Sequence, residues 1–229
     1  MDIIEAGGLG ARTAVVELRA KGSRCRFTLY PMIHLADPAF YAEVAARLAR
    51  HDLLVVEGVN GPAPARDLLT LTYRMAGRHG RLGLQVQPRS LYEVGVPLVT
   101  PDITGPDFQR RWLQIPLSER VLISLCAPLY ALYFTLFGTR SWIANRMALD
   151  DDILNIEVPS GLELDKLIGD VRDALLCAAL TEIHEARRGD DLSVAVVYGA
   201  AHVRPAATYL RARHGYVVWS GEWLTLFDF

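Results

Sequence analysis

Two short apolar runs, Leu53–Val56 (LLVV) and residues 193–198 (SVAVVY), constrain the fold of this chain more than any other feature. Each is too short for a buried helix, is rich in β-branched side chains and lacks polar alternation, which is the pattern of a strand covered on both faces. Such strands belong to a sheet enclosed between helices, and residues 27–58 supply the connection. Residues 24–33 read as a strand, and Asp37-Pro38 opens a helix, with aspartate at the cap and proline in the first turn. Phe40, Val44 and Leu48 then recur on one helical face. Strand, helix and strand make a βαβ unit, which is right-handed by default. The expected fold is therefore α/β, with a mainly parallel central sheet built from βαβ units and helices on both faces.

The rest of the chain fills in around that frame. Lys21-Gly22-Ser23 is a hairpin turn between strands at 13–19 and 24–33. The small-residue run Ala6-Gly7-Gly8-Leu9-Gly10-Ala11 precedes a strand, so it lacks the context of a nucleotide-binding turn and is expected to be a flexible arm. Helices are expected at 64–79, 106–113, 164–188 and 205–214, and further strands at 82–86, 98–100, 216–220 and 223–227. With 229 residues and 51% apolar side chains, one domain over residues 1–229 can hold a sizeable core, with a helical insertion at about 107–155. The net charge of −2 and the scattered basic residues exclude an electrostatic footprint for nucleic acid.

Cys25, Cys126 and Cys177 are odd in number and widely spaced, which argues against a disulfide framework or a thiolate zinc site and fits a reducing compartment. The N-terminal Met-Asp-Ile-Ile-Glu has neither a basic nor an apolar leader region, so no secretory signal and a cytoplasmic location are expected. Residues 121–138 (VLISLCAPLYALYFTLFG) carry no charge and lie between the lengths of a buried helix and a short membrane span. Pro128 is expected to kink them. The stretch is either a helix buried in the protein or lying over the site as a lid, or a surface for a membrane or a second subunit, which would make the protein membrane-associated.

Chemistry concentrates where apolar runs end. His34 follows the strand at 24–33, Glu57 follows LLVV, and His202 follows SVAVVY in Gly199-Ala200-Ala201-His202. Open α/β sheets bind ligands at the carboxyl ends of their strands. Neutral imidazole and carboxylate together suit a divalent ion such as zinc, manganese, iron or cobalt, which makes a bound water nucleophilic near neutral pH. Each of these residues also has an ordinary structural role, a hydrogen-bonded histidine or a glutamate paired with arginine. Asp102 is a candidate ligand or general base, or else the Asx turn before Gly105-Pro106. Arg172 and Asp173 either orient a ligand and polarise a carbonyl or are surface charges. Asp150-Asp151-Asp152 has the composition of a cation site, though a solvated turn is favoured. No G-x-S-x-G, H-E-x-x-H or P-loop is present, and Cys126 and Cys177 sit in apolar contexts that point to packing.

These motifs, in this order, resemble those of the TraB/PrgY and Tiki superfamily, α/β proteins with two G-x-x-H motifs and a glutamate after the second strand. Pro31-Met32-Ile33-His34 takes the place of the first motif, Glu57 in VVEG that of the glutamate, and Gly199-Ala200-Ala201-His202 matches the second. LVTPDITGPDFQRRW, with Asp102, looks like the family's aspartate-centred segment, and Arg172-Asp173 is similar to its arginine-aspartate pair. Tiki proteins are metal-dependent proteases, and TraB/PrgY members are associated with limiting peptide pheromone activity. The resemblance implies a metal-dependent hydrolase of a peptide or amide. His34 and His202 would bind the ion, Glu57 would be a ligand or base, and Arg172 would stabilise developing negative charge. The alternative is a non-catalytic protein that sequesters a peptide or small ligand in the same cleft.

Overall fold

The computed structural model describes residues 3–78, 80–149, 164 and 169–229. In chain order its elements are β1 (Ile4–Gly7), β2 (Gly10–Ala20), β3 (Arg26–Met32), β4 (Leu35–Ala36), α1 (Pro38–Leu48), β5 (Leu53–Val56), α2 (Pro64–Leu69), α3 (Leu71–Arg78) and β6 (Gln85–Val86). A 3-10 turn at Arg89–Tyr92 leads to β7 (Leu98–Val99), and the helices α4 (Gly105–Gln114), α5 (Leu117–Phe137) and α6 (Arg140–Leu149) follow. The chain closes with α7 (Val171–Arg187), β8 (Ser193–Gly199), α8 (Ala200–His214) and β9 (Tyr216–Asp228). The aspartate run at 150–152 lies outside the described residues.

The fold is α/β. Strands β3, β8, β5 and β7 run parallel in that order. β2 joins β3 antiparallel through the expected hairpin, where Gly22 adopts φ +82°. β9 runs antiparallel along the other edge of β2. Side chains alternate between two cores, as the period of a strand requires. On β8, Ala195 and Val197 face the core made with α1, α3 and α6, whereas Val194, Val196 and Tyr198 face the core made with α7 and α8. Leu54 and Val56 of β5 join the first core and Val55 the second. The continuous apolar runs thus reflect strands covered on both sides.

Several expectations are corrected. The N-terminal segment is a strand of the sheet, because Ile3 is fully buried and its carbonyl accepts bonds from the Ala14 N–H at 2.8 Å and the Thr13 hydroxyl at 3.2 Å. Gly10 turns this hairpin at φ +144°, where a Cβ would lie 2.3 Å from the Phe227 carbonyl oxygen. The two C-terminal runs are one strand, β9, which follows β2 across two register shifts. The helix expected at 64–79 is broken at Thr70. Only Gln85 and Val86 of the expected strand at 82–86 pair, and they do so with β4. α5 runs through Pro128 without interruption.

α5 is long and apolar enough to cross a membrane, with a mean hydropathy of 1.6. It is partly covered by the protein. Ile123, Ala127, Ala131 and Phe134 recur at helical spacing on its buried face, and the helix packs against α3. Leu125 and Leu129, at 64% and 68% exposure, point the other way. Phe134→Ala is therefore expected to cost about 3–5 kcal/mol, whereas Leu125→Glu or Leu129→Glu should stay within about 0.5 kcal/mol. Urea unfolding followed by circular dichroism reads both.

Candidate active site

The sheet register sets the site. Met32 pairs with Gly199 and Val56 with Val197, so the carboxyl ends of β3, β8 and β5 lie side by side with β8 in the middle. Glu57 directly follows β5, and its N–H donates to the Val197 carbonyl at 3.0 Å. His202 lies in the first turn of α8, His34 just beyond β3, and Asp102 three residues past β7.

Glu57 is the hub. One carboxylate oxygen accepts the Gly199 N–H at 2.5 Å, at the amino end of α8, where helix backbone donors favour an anion. The other accepts Nη2 of Arg172 at 2.5 Å. Burial works against ionisation of Glu57, but Arg172, His202, His34 and the Gly199 N–H outweigh it and hold the carboxyl at about 2. The glycine of the second G-x-x-H motif thereby has a physical reason. A Cβ on Gly199 would lie 3.1 Å from Glu57 Oε2 and 3.6 Å from His202 Cδ2, crowding a carboxylate already tied on both sides.

Arg172 is held by two acids. Its Nε donates to Asp102 at 2.8 Å, and Nη2 is shared between Asp102, at 2.6 Å, and Glu57. Burial disfavours its charge, yet Glu57 and Asp102 more than restore it, and its pKa rises above the ordinary arginine value. The Asp102 side chain is fully buried and also accepts from the N–H groups of Gly58, at 3.0 Å, and Ile103, at 2.7 Å. Asp102 thus acts as the buried group that fixes the guanidinium, and its local bond goes to the next residue, Ile103, instead of closing an Asx turn two residues on. Nη1 of Arg172 takes no part in these bonds, and the residue contributes to the cavity wall.

Asp173, one residue on, faces the second histidine. It lies 2.6 Å from Nδ1 of His202. A carboxylate only accepts, so Nδ1 carries the proton and Nε2 is the atom that faces Glu57 Oε1 at 4.0 Å. Burial lowers the His202 pKa, but the Asp173 bond and the Glu57 charge reverse that and leave it raised. A raised pKa stabilises the fold fully below the ordinary value of 6.5, and the contribution is lost as pH rises through the folded value. Asp173→Asn should therefore lose stability mainly below about pH 6 and move the His202 titration to lower pH by NMR.

His34 stands apart from these bonds, near enough to Glu57 to act on its charge. Its ring stacks on Tyr73 with centroids 4.2 Å apart, and its carbonyl accepts the Gln87 N–H at 3.1 Å. His34, Glu57 and Arg172 line one cavity of about 310 Å³. Its walls include Tyr73, Tyr92 and Phe108, which sequence patterning did not single out. Burial pushes the Tyr73 hydroxyl up to about 12, so it stays a neutral phenol. Aromatic residues on helices and turns carry no periodic or motif signal that separates a cavity wall from a core.

The structure brings these residues together as two bonded groups, Glu57–Arg172–Asp102 and Asp173–His202, which approach each other at 4.0 Å between His202 Nε2 and Glu57 Oε1, with His34 in the adjoining cavity. Pro31 is accommodated because the β2–β3 ladder pairs Val16 with Leu29 and goes no further, while the Pro31 carbonyl accepts the Thr13 hydroxyl at 3.4 Å. As the side chains stand, no three His, Cys, Asp or Glu groups among the described residues converge tightly enough to hold an ion. Two ligands each roughly 2 Å from a shared ion lie about 3.0–3.3 Å apart, so His202 Nε2 and Glu57 Oε1 would have to close by somewhat less than about 1 Å. Nε2 of His202 and the ionised Glu57 carboxylate are donors of the kind a divalent ion takes, and Asp173 orients the ring from behind. Oε1 of Glu57, however, already accepts Nη2 of Arg172, which an ion there would have to displace or share. No protein-family model matches the chain, and no curated protein or solved structure is significantly similar to it.

Proposed function

We propose that this chain is a divergent relative of the TraB/PrgY and Tiki superfamily and a metal-dependent hydrolase of a peptide or amide bond. The observation that carries the reading is the Asp173–His202–Glu57 arrangement at adjoining strand ends, with Gly199 making room for the carboxylate. His34, Glu57 and His202 would hold the ion, one of zinc, manganese, cobalt or iron, which would supply a Lewis acid and a water activated near neutral pH. Glu57 is ionised well below neutral pH and so would bind the ion as a carboxylate. A carboxyl held at about 2 is a weak base, and taking the water's proton would depend on the ion having made that water acidic. Asp173 holds one proton of His202 on Nδ1 and aims Nε2 into the site, and Tyr73 holds the His34 ring by stacking. Arg172, a residue of the cavity wall, would meet charge developing on a substrate oxygen.

Elemental analysis of the purified protein, with add-back of zinc, manganese and cobalt and a peptide hydrolysis assay, is the test. Stoichiometric metal that is lost with activity in His202→Ala supports the reading. Absence of any bound or restorable ion, with His202→Ala unchanged, overturns it.

One observation favours a binding protein in the same cleft: Glu57 and Asp102 already balance the Arg172 charge. That alternative expects saturable peptide binding that survives Glu57→Gln, with no turnover by the metal-loaded protein.

A further inference from the structure

We propose that the cavity selects small peptides or N-acyl amino acids with a free carboxylate, and that Arg89 is the residue that reads this group. The proposal rests on the hydrolase reading for its reaction and on the cavity wall for its specificity.

Three arginines line the cavity. Arg172 is bonded to Asp102 and Glu57. Arg66 spends its donors on Asp67 and on the carbonyls of Val59, at 2.7 Å, and Gly61, at 3.2 Å. Arg89 is exposed, and among the described residues it has no ion pair or hydrogen bond. A guanidinium with its donors uncommitted at the edge of a concave site matches a carboxylate in two-pronged geometry.

Size narrows the ligand further. A cavity of about 310 Å³ lies at the small end of ligand pockets, room for one or two residues and not for a folded chain. Leu69, Val86, Tyr92 and Phe108 offer apolar wall for one side chain. The reaction balances as hydrolysis: water adds to the amide carbon, the C–N bond breaks, and the amine leaves with a proton. The new acid and the released amino acid then carry one carboxylate each.

The test compares the dipeptide Ala-Leu with its C-terminal amide, Ala-leucinamide, on the metal-loaded protein. Leucine or leucinamide release is measured by chromatography, and binding by equilibrium dialysis. The wild type should show a KM for Ala-Leu about tenfold or more below that of the amide, one charge-assisted contact. Arg89→Gln should bring the two within about twofold, Arg89→Lys should keep part of the preference as a point charge, and Arg89→Glu should reverse it. Because Arg89 is exposed, these variants should keep the fold, checked by circular dichroism. Equal KM values in the wild type, with turnover of both, overturn the anchor and leave the hydrolase standing. Saturable Ala-Leu binding that Arg89→Gln weakens, without turnover, supports the anchor and overturns the hydrolase. Neither binding nor turnover of Ala-Leu overturns the proposal.

Discussion

Arg172→Ala is expected to destabilise the protein by about 3–5 kcal/mol at neutral pH, the largest stability effect of any substitution in the network. The guanidinium is almost fully buried, and its partner Asp102 has no exposed side-chain surface. Removing the cation leaves two carboxylates facing each other with backbone donors alone. Arg172→Met, which restores volume without charge, should cost nearly as much, which separates lost charge from lost packing.

The pH dependence gives the sign. In the wild type Glu57 is depressed from 4.5 to about 2, so its contribution is present above pH 4.5 and is lost as pH falls towards 2. That difference is worth about 3 kcal/mol by linkage. Without Arg172 the Glu57 carboxyl rises, burial now dominating, and its protonation relieves the repulsion. The gap between wild type and variant should therefore narrow as pH is lowered from 7.5 to 4.5. Urea unfolding at both values measures it. A loss below about 1 kcal/mol, or one independent of pH, would show that the arginine is not the electrostatic keystone of the site.

On the hydrolase reading, Glu57→Gln is expected to lower kcat about 10²–10⁴-fold, the range for a group that moves a proton in the transition state. The substitution also has a structural cost that should be measured beside it. Both carboxylate oxygens accept N–H donors, one from Arg172 and one from Gly199. A glutamine can offer an oxygen to only one of them, and its NH₂ must face the other. About 1–3 kcal/mol of stability should be lost through that clash of donors. Glu57→Asp keeps both acceptors but withdraws them by one methylene, so it should regain stability while staying poorly active. A Glu57→Gln protein that is folded and retains wild-type turnover would remove Glu57 from the chemistry.

Much of the frame was legible along the chain. LLVV and SVAVVY read as strands buried on both faces because their apolar residues run without polar alternation, and Val194 to Tyr198 do divide between two cores. Asp37-Pro38 marked the start of α1 correctly, although Asp37 turns its carboxylate to Arg140, at 2.8 Å, and makes no side-chain cap bond. The N-terminal run was misjudged because its glycines signal flexibility locally, while burial of Ile3 against β2 depends on a strand ten residues away. The 121–138 stretch could not be resolved by composition. Which of its apolar residues are covered depends on where α3 packs, and the sequence does not place that neighbour.

Sequence alone determined that His34, Glu57 and His202 stand at strand ends, since strand patterning and the positions of these residues after apolar runs are local properties of the chain. Tertiary structure decided how they are coupled. Asp102 and Arg172 are 70 positions apart, and Arg172 and Glu57 115, so no periodicity relates them. They meet because β8 lies between β3 and β5 and because Arg172 of α7 is buried beside those strand ends. The cavity depends equally on packing: Tyr73, Tyr92 and Arg89 come from a helix and a turn whose own sequences serve as well for a core or a surface. Burial then sets the electrostatics, because the same carboxylate would titrate ordinarily in water and is held at about 2 by an arginine and two histidines brought to it by the fold.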